Sequence, residues 1–390
     1  MRLCAISYKL SWQAENGDWY SDGGFPLQMG AIASLFDSMT LLITRRPTPG
    51  QGGLRLPPKA EIVVLPRPAG GDLRRKLSVL LHLPIYLATI TRHVRTADVV
   101  HVPLPGDIPL LGMLVALMLR KKLIVRYGGS WAVNEQTTRM NRITQALMRH
   151  SAGGRNVMLA TGEGEEAPAP RMHWIFATAL SRKELSPIEP VRERGLSAPP
   201  RLVYIGRLSP EKGVANLIEA IAYLDREGFR PLPQVTLIGD GVERDALTSR
   251  VRALGYQTVI RFTGQLDRDA LCSVLSQADL CVQPSLTEGF SKAWLDAFAQ
   301  GLPIIASDVG AARSVMGEEG QRGWLVPPGD VRRLACQLRY ILTAQLDWPA
   351  IRRRCRAYVE GRTLEAWAEE IGQICARQWN LSLVKGKLRP

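Results

Sequence analysis

The run Thr287-Glu288-Gly289-Phe290-Ser291-Lys292-Ala293-Trp294-Leu295-Asp296 places a carboxylate, a glycine turn and a second carboxylate directly after the apolar segment 278–285. The pattern puts Glu288 in a loop where a strand ends and a helix begins. Ligands of open α/β sheets gather outside the carboxyl ends of the strands, and a helix N-terminus offers unpaired N–H groups and partial positive charge to a phosphate. Glu288 therefore suits an uncharged, hydroxyl-rich group held beside a phosphate. A second cluster lies upstream. Residues 201–206 read as a buried strand, and Arg207-Leu208-Ser209-Pro210-Glu211-Lys212-Gly213 turns it into a helix carrying Leu217, Ile218, Ile221 and Leu224. Two cations beside a glycine suit a diphosphate, which needs both charge neutralisation and close backbone approach. Each charge-assisted hydrogen bond to such a group contributes roughly 1.5–3 kcal/mol. Taken singly, either cluster also fits solvated charges at the start of a helix.

Together the clusters form an ordered series. Gly206-Arg207-Leu208-Ser209-Pro210-Glu211-Lys212-Gly213, Ile238-Gly239-Asp240-Gly241, Phe262-Thr263-Gly264, Glu288-Gly289-Phe290 and Gly301-Leu302-Pro303-Ile304-Ile305-Ala306-Ser307 resemble the landmarks of the family-4 retaining glycosyltransferases with the GT-B fold. The resemblance is specific over residues 201–330 and diffuse over the first 180. It implies that Arg207 and Lys212 hold the donor diphosphate, that Glu288 hydrogen-bonds the donor sugar, and that the backbone of Gly289, Phe290, Ser291 and Lys292 caps the phosphate end. Gly206 and Gly239 complete the donor loops, and the segment around Gly264 and Gln265 contacts the base. One position departs from the pattern. The second acid of the family signature is a Glu that contacts the nucleotide ribose, and here it is Asp296, one methylene shorter. Asp296 equally fits an acid that packs at the sheet edge or caps nearby N–H groups.

Strand and helix patterns alternate twice along the chain. Strands are expected near 3–7, 40–44, 62–65, 99–102, 123–127 and 157–161, then near 202–206, 234–238, 259–263, 280–283, 303–306 and 323–326. Strands separated by helices imply parallel sheets covered on both faces. At 390 residues the chain exceeds the range in which a single core grows. The expected fold is thus α/β, and the resemblance makes it GT-B: two Rossmann-like domains facing a central cleft. Residues 1–185 form an acceptor-binding domain, 186–200 a proline-rich linker, and 201–360 the nucleotide-sugar domain. A terminal helix in 361–390 crosses back toward the first domain.

Six scattered cysteines without a C-x-x-C pair, and an opening that reads as a strand rather than a signal peptide, point to free thiols in a reducing cytoplasm. The five histidines lack metal-ligand spacing, and Asp267-Arg268-Asp269 begins a helix that Asp267 should cap, so no metal or other cofactor is expected. A net charge of +14 attracts polyanions. Nucleic acid is disfavoured because zinc-finger spacing, RNP-like aromatics and a basic heptad region are all missing. The run 74–95 reads as an amphipathic helix interrupted by Pro84 and edged by Arg74, Arg75, Lys76, Arg92 and Arg95; the run 108–119 ends in Arg120-Lys121-Lys122. Both are shorter than the roughly 20 apolar residues a spanning helix needs. Each suits either a buried helix of the first domain or an interfacial helix on an anionic leaflet, so peripheral attachment to the inner face of a membrane stays open.

The first domain is less explicit. Gly23 and Gly24 follow the first strand and resemble the family's glycine loop, although an ordinary helix-entry turn has the same composition. Tyr127 occupies the place where many relatives have His, and His101, at the end of the preceding strand, fits either the acceptor site or a structural role. Trp12, Trp19 and Trp131 suit stacking on an acceptor sugar. The resulting expectation is a retaining hexosyltransferase that moves a sugar from a nucleotide diphosphate, UDP by family frequency, to a hydroxyl of a glycan or lipid-linked acceptor in polysaccharide biosynthesis. The alternatives are a nucleotide-sugar epimerase or sugar phosphorylase on the same plan, or a catalytically silent, membrane-associated homologue.

Overall fold

Short runs of β-branched and apolar residues pair as parallel strands in both halves of the chain, and each sheet gathers into its own unit. The computed structural model describes residues 1–50, 53–70, 72–132, 137–185 and 195–390. It divides into Met1–Ala179 with Leu364–Pro390, and Leu180–Thr363. Most of the expected linker, 186–194, lies outside the described residues.

The first unit contains β1 (Arg2–Gln13), β2 (Trp19–Ser21), β3 (Ser38–Arg45), β4 (Leu54–Arg55), β5 (Ala60–Leu65), β6 (Val99–Leu104), β7 (Lys122–Tyr127), β8 (Asn156–Thr161) and β9 (Met172–Ile175). Its helices are α1 (Phe25–Ala33), α2 (Asp72–Leu81), α3 (Leu83–Thr96), α4 (Asp107–Met118) and α5 (Arg139–Ser151). The parallel order is β5-β3-β1-β6-β7-β8-β9. β1 runs well beyond the expected 3–7. Leu3, Cys4 and Ala5 pair with β6, while Ser11, Trp12 and Gln13 continue into an antiparallel hairpin with β2. One face of the sheet packs Ile6, Val102 and Val125 against Tyr86, Ile90 and Val94 of α3 and Ile108 and Met113 of α4. Pro84 sits in the first turn of α3, where its missing N–H costs nothing, and α2 meets α3 at 54°.

The second unit contains α6 (Arg182–Leu185), β10 (Arg201–Ile205), α7 (Val214–Arg226), β11 (Gln234–Ile238), α8 (Arg244–Ala253), β12 (Ile260–Gly264), α9 (Arg268–Gln277), β13 (Leu280–Gln283), α10 (Lys292–Ala299), β14 (Ile304–Ser307), α11 (Ala312–Met316), β15 (Gly323–Val326), α12 (Val331–Thr343) and α13 (Trp348–Glu360). Its six-stranded sheet is parallel in the order β12-β11-β10-β13-β14-β15. That is the doubly wound Rossmann order, whose strand sequence reverses between β10 and β13 and opens a crevice at their carboxyl ends. Asp279, fully buried, ties the amino ends of these two strands together. Its carboxylate accepts from the N–H and hydroxyl of Ser197, each at 3.1 Å, and from the Arg201 N–H at 2.8 Å, with the buried Arg352 guanidinium 3.9 Å away.

After α13 the chain returns to the first unit. There α14 (Leu364–Trp379) buries Trp367 and Ile371, and its Gln378 amide and Trp379 indole donate to the Asn156 and Arg155 carbonyls at 2.7 and 3.0 Å. The hairpin β16 (Ser382–Val384) and β17 (Lys387–Arg389) follows, and the Arg389 guanidinium pairs with both oxygens of Asp37. Removing one member of a buried charged network strands the others, at a cost of about 3–5 kcal/mol. Asp279→Ala is therefore expected to lower the unfolding free energy of the second unit by about that amount in a urea titration, with Asp279→Asn less severe.

Candidate active site

The carboxyl-edge loops of the second sheet are held by backbone touching backbone. Gly213 closes the β10–α7 loop with φ +62°, and a Cβ there would lie 2.2 Å from the Pro284 carbonyl oxygen. The Leu286 N–H donates to the Glu211 carbonyl at 2.9 Å, which stitches the same loop to the one after β13. A Cβ on Gly239 would lie 1.9 Å from the Gly206 carbonyl oxygen, and the Gly239 N–H donates to the Gly264 carbonyl at 2.9 Å. The ends of β10, β11 and β12 therefore meet. Gly310, which the sequence analysis passed over, would place a Cβ 2.1 Å from the Glu288 carbonyl oxygen. The Ala311 N–H donates to Gly289 at 2.9 Å, so the β14 loop buttresses the Glu288 turn.

This framework brings two expected site residues into direct contact. Lys212 Nζ donates to Glu288 Oε2 at 2.5 Å, with the side chains 16% and 15% exposed. Arg207 does not join them. It is 73% exposed and pairs with Glu211 at 3.1 Å. Such an exposed pair contributes only about 0–1 kcal/mol, so it holds the guanidinium weakly. Beyond Glu288, Phe290 is buried at a centroid distance of 5.7 Å from the Trp294 ring, and Ser291 caps α10 without a side-chain hydrogen bond. Gly289, Ser291 and Lys292 form the turn at that helix N-terminus, where backbone N–H groups favour an anion. Gln265 is exposed just past β12.

Asp296 has a partner that the sequence did not reveal. Arg268 Nη1 lies 2.5 Å from Asp296 Oδ1, and Arg268 Nε lies 2.9 Å from Glu184 Oε1. Burial pulls the Arg268 pKa down, but the two carboxylates outweigh it and hold it above its ordinary value. Asp267 caps α9 as expected, accepting from the Ala270 N–H at 2.9 Å. Among the described residues no three His, Cys, Asp or Glu side chains gather as a metal would require.

In the first unit, Gly23 and Gly24 lead into α1, and Asp22 beside them binds Arg46 at 2.9 Å. His101 and Tyr127 belong to the interior. His101 is fully buried, its Nδ1 3.2 Å from the Ile124 carbonyl and its Nε2 without a partner among the described residues. Burial and the nearby Arg126 guanidinium, opposed by that carbonyl, lower its pKa to about 3. Tyr127 is 1% exposed and packs edge-on to Trp131 at 5.5 Å. Burial pushes its phenol pKa up. Trp131 is buried, with its indole donating to the Pro168 carbonyl at 3.0 Å, and Trp12 is buried beneath the Arg46 guanidinium at 4.6 Å. The stacking expected of these two tryptophans is thereby corrected: core packing claims aromatic residues at strand ends before a ligand can. Trp19 alone of the three remains half-buried. Arg126, unnoticed in the sequence, is buried below α1 and α14. It donates to Gln28 Oε1 at 3.2 Å and lies 5.7 Å from the Trp367 ring centre. Burial lowers its pKa to about 10.

The neutral state of His101 has a consequence for stability. The unfolded imidazole titrates near pH 6.5 and the folded one near 3, so between these values the unfolded chain binds the extra proton. The contribution is fully present above pH 6.5 and is lost progressively as the pH falls toward 3. Urea unfolding from pH 7 to pH 4 should show a smaller acid-induced loss of stability in His101→Gln than in the parent chain.

The model of the family described as "Glycosyl transferases group 1" matches residues 190–362. Glycogen synthase of Mycobacterium tuberculosis is 36% identical over 200 residues, which are 50% of this chain and 46% of that protein. The MMP alpha-(1->4)-mannosyltransferase of Mycolicibacterium hassiacum is 28% identical over 280 residues, 71% of this chain and 63% of the relative. The chain thus spans about half the length of the curated relatives it matches. Among solved structures, sucrose-phosphate synthase from Thermosynechococcus elongatus aligns with a TM-score of 0.73 at 20% identity, covering 97% of this chain and 99% of the other. HepE from Anabaena in complex with UDP and glucose aligns at 0.69 and 18% identity, covering 97% and 100%. At such identities the likeness is one of fold, and that fold is GT-B. Residues 190–362, which hold most of the second unit's Rossmann sheet and the ordered motifs, are thus similar to the group 1 glycosyltransferases.

Proposed function

We propose that this protein transfers a sugar from a nucleotide diphosphate, UDP in the first instance, to a hydroxyl of a glycan or lipid-linked acceptor, with retention of anomeric configuration. The observation that carries the reading is the Lys212–Glu288 pair, set at the switch point of a Rossmann sheet beside the N-terminus of α10. Neighbours solved with UDP and with glucose support the choice of donor.

In this mechanism the bond from the anomeric carbon to the diphosphate breaks and charge accumulates on the leaving oxygens. Lys212, the re-aimed Arg207 and the amides of the 289–292 turn receive that charge, and their fixed positions spare the solvent reorganisation it would otherwise require. Glu288 holds the sugar hydroxyls. Its contact with Lys212 makes it a poor covalent nucleophile, which favours attack by the acceptor hydroxyl on the face the diphosphate leaves, with the acceptor proton passing to a phosphate oxygen. Gly264 and Gln265 adjoin the base. Asp296 reaches the ribose while remaining bound to Arg268.

A second proposal concerns location. Leu77, Leu80, Leu81 and Ile85 are exposed on α2 and α3, with Leu80 and Leu81 at 63% and 78%, and Met118 ends α4 at 82%. Arg74 and Lys76 on α2, and Arg92 and Arg95 on α3, are exposed on the same helices. Among the described residues no single helix is long and apolar enough to cross a membrane; α2 and α3 pass that test only together and are bent at their junction. An apolar strip edged by cations fits shallow insertion into an anionic leaflet, hence a peripheral enzyme.

Lys212→Ala and Arg207→Ala should each lower sugar transfer by on the order of 10²-fold, measured with a panel of radiolabelled nucleotide sugars. Wild-type-like turnover in both would refute the leaving-group assignment, and a parent chain that neither transfers nor binds any nucleotide would point to a silent homologue. In flotation with vesicles containing phosphatidylglycerol, Leu80→Ser/Leu81→Ser should lose binding, and added salt should weaken the parent's binding. Unchanged flotation of the variant would sink the membrane proposal.

A further inference from the structure

We infer that the acceptor carries an anionic group, a phosphate or carboxylate, received by a cavity in the first unit lined by Lys9, Arg67 and Arg75. This rests on the proposed transfer reaction and specifies its acceptor. The cavity, of about 610 Å³, lies beside Tyr8, Lys9 and Leu10 in the middle of β1, near the end of β3 and along the segment that follows β5. The ends of β3 and β5 are carboxyl ends of parallel strands, the edge at which open α/β sheets bind ligands.

The charges on its wall are unequal. Lys9, Arg67 and Arg75 face it, against one carboxylate, Asp22, which is already held by Arg46 at 2.9 Å. Arg67 has no carboxylate partner among the described residues. Arg75 pairs with Asp107 at 3.2 Å, but both are about two-fifths exposed, and a contact of that kind exchanges readily for a doubly charged oxyanion. The wall is also preformed, because the Ala69 N–H donates to the Ser78 hydroxyl at 2.9 Å and anchors the 67–70 segment to α2. Tyr8 adds an aromatic face. Its ring packs over the Gly106 turn, where a Cβ would lie 2.5 Å from the ring carbons.

One helix serves both surfaces: α2 places Arg75 at the cavity and Leu77, Leu80 and Leu81 in solvent. An amphiphile with an anionic head would satisfy both, whereas a soluble sugar phosphate or uronic acid would use the cavity alone. The shared chemistry is the oxyanion.

The test is isothermal titration of the full chain with its donor site saturated by UDP, using glycerol 1-phosphate and short-chain dihexanoyl phosphatidic acid as probes. The parent chain should bind at least one of them. Arg67→Gln, which breaks no ion pair among the described residues, and Arg67→Gln/Arg75→Gln should weaken that binding by tenfold or more, with circular dichroism melting unchanged for the single variant. Phosphatidic acid binding tenfold tighter than glycerol 1-phosphate identifies a lipid headgroup, and equal binding identifies a soluble phosphate. Lys212→Ala should bind the probes like the parent in the absence of UDP while failing in transfer, which separates this proposal from the donor reading. No binding of either probe by the parent, or equal binding by parent and Arg67→Gln, overturns the inference.

Discussion

The second unit depends on backbone approaching backbone more closely than any side chain permits. Where Gly239 meets Gly206, Gly213 meets Pro284 and Gly310 meets Glu288, a single added carbon would stand 1.9–2.2 Å from a carbonyl oxygen. Those contacts fuse four separate strand-to-helix loops into one wall. Lys212 and Glu288, 76 residues apart, can hold a 2.5 Å contact only because the loops that carry them are locked in this way. The glycines thus act on the charged pair through geometry.

Environment sorts the cations of this basic chain into different roles. Lys212 is preorganised and partly shielded, where its charge is worth most. Arg207 is solvated and held only by a weak exposed pair with Glu211. Arg268 is locked between Asp296 and Glu184, so it stiffens the start of α9 and holds the acid that the family signature reserves for the ribose. Arg126 is buried with no carboxylate partner among the described residues and lies under Trp367, which fastens α14 to the first sheet. A net charge of +14 read from composition distinguishes none of these. Lysines and arginines gain distinct functions only through what surrounds them.

Much of the architecture was legible in the sequence because buried parallel strands leave a local signature of short β-branched runs bounded by glycine, proline and acid-rich turns. All twelve expected strands are present, and 234–238, 280–283 and 323–326 match their observed bounds. The short pieces were not legible. β2, β4 and β9 have two to four residues each, too few to show a period, and they become strands only because a neighbour supplies the hydrogen bonds. β1 runs to more than twice its expected length because its second part, past the residues paired with β6, pairs with the end of β3 and with β2.

The site divides along the same line. Residue types and their order along the chain marked the ends of β10 and β13 as the place where glycine, cation and carboxylate come together, since those residues at those offsets state their chemistry locally. Only the tertiary structure decided which of the named residues touch. It joined Lys212 to Glu288, left Arg207 on the surface, gave Asp296 to Arg268, and withdrew His101, Tyr127, Trp12 and Trp131 into the core. Burial and ion pairing depend on neighbours distant in sequence, and no local pattern records which of two competing partners a side chain will meet.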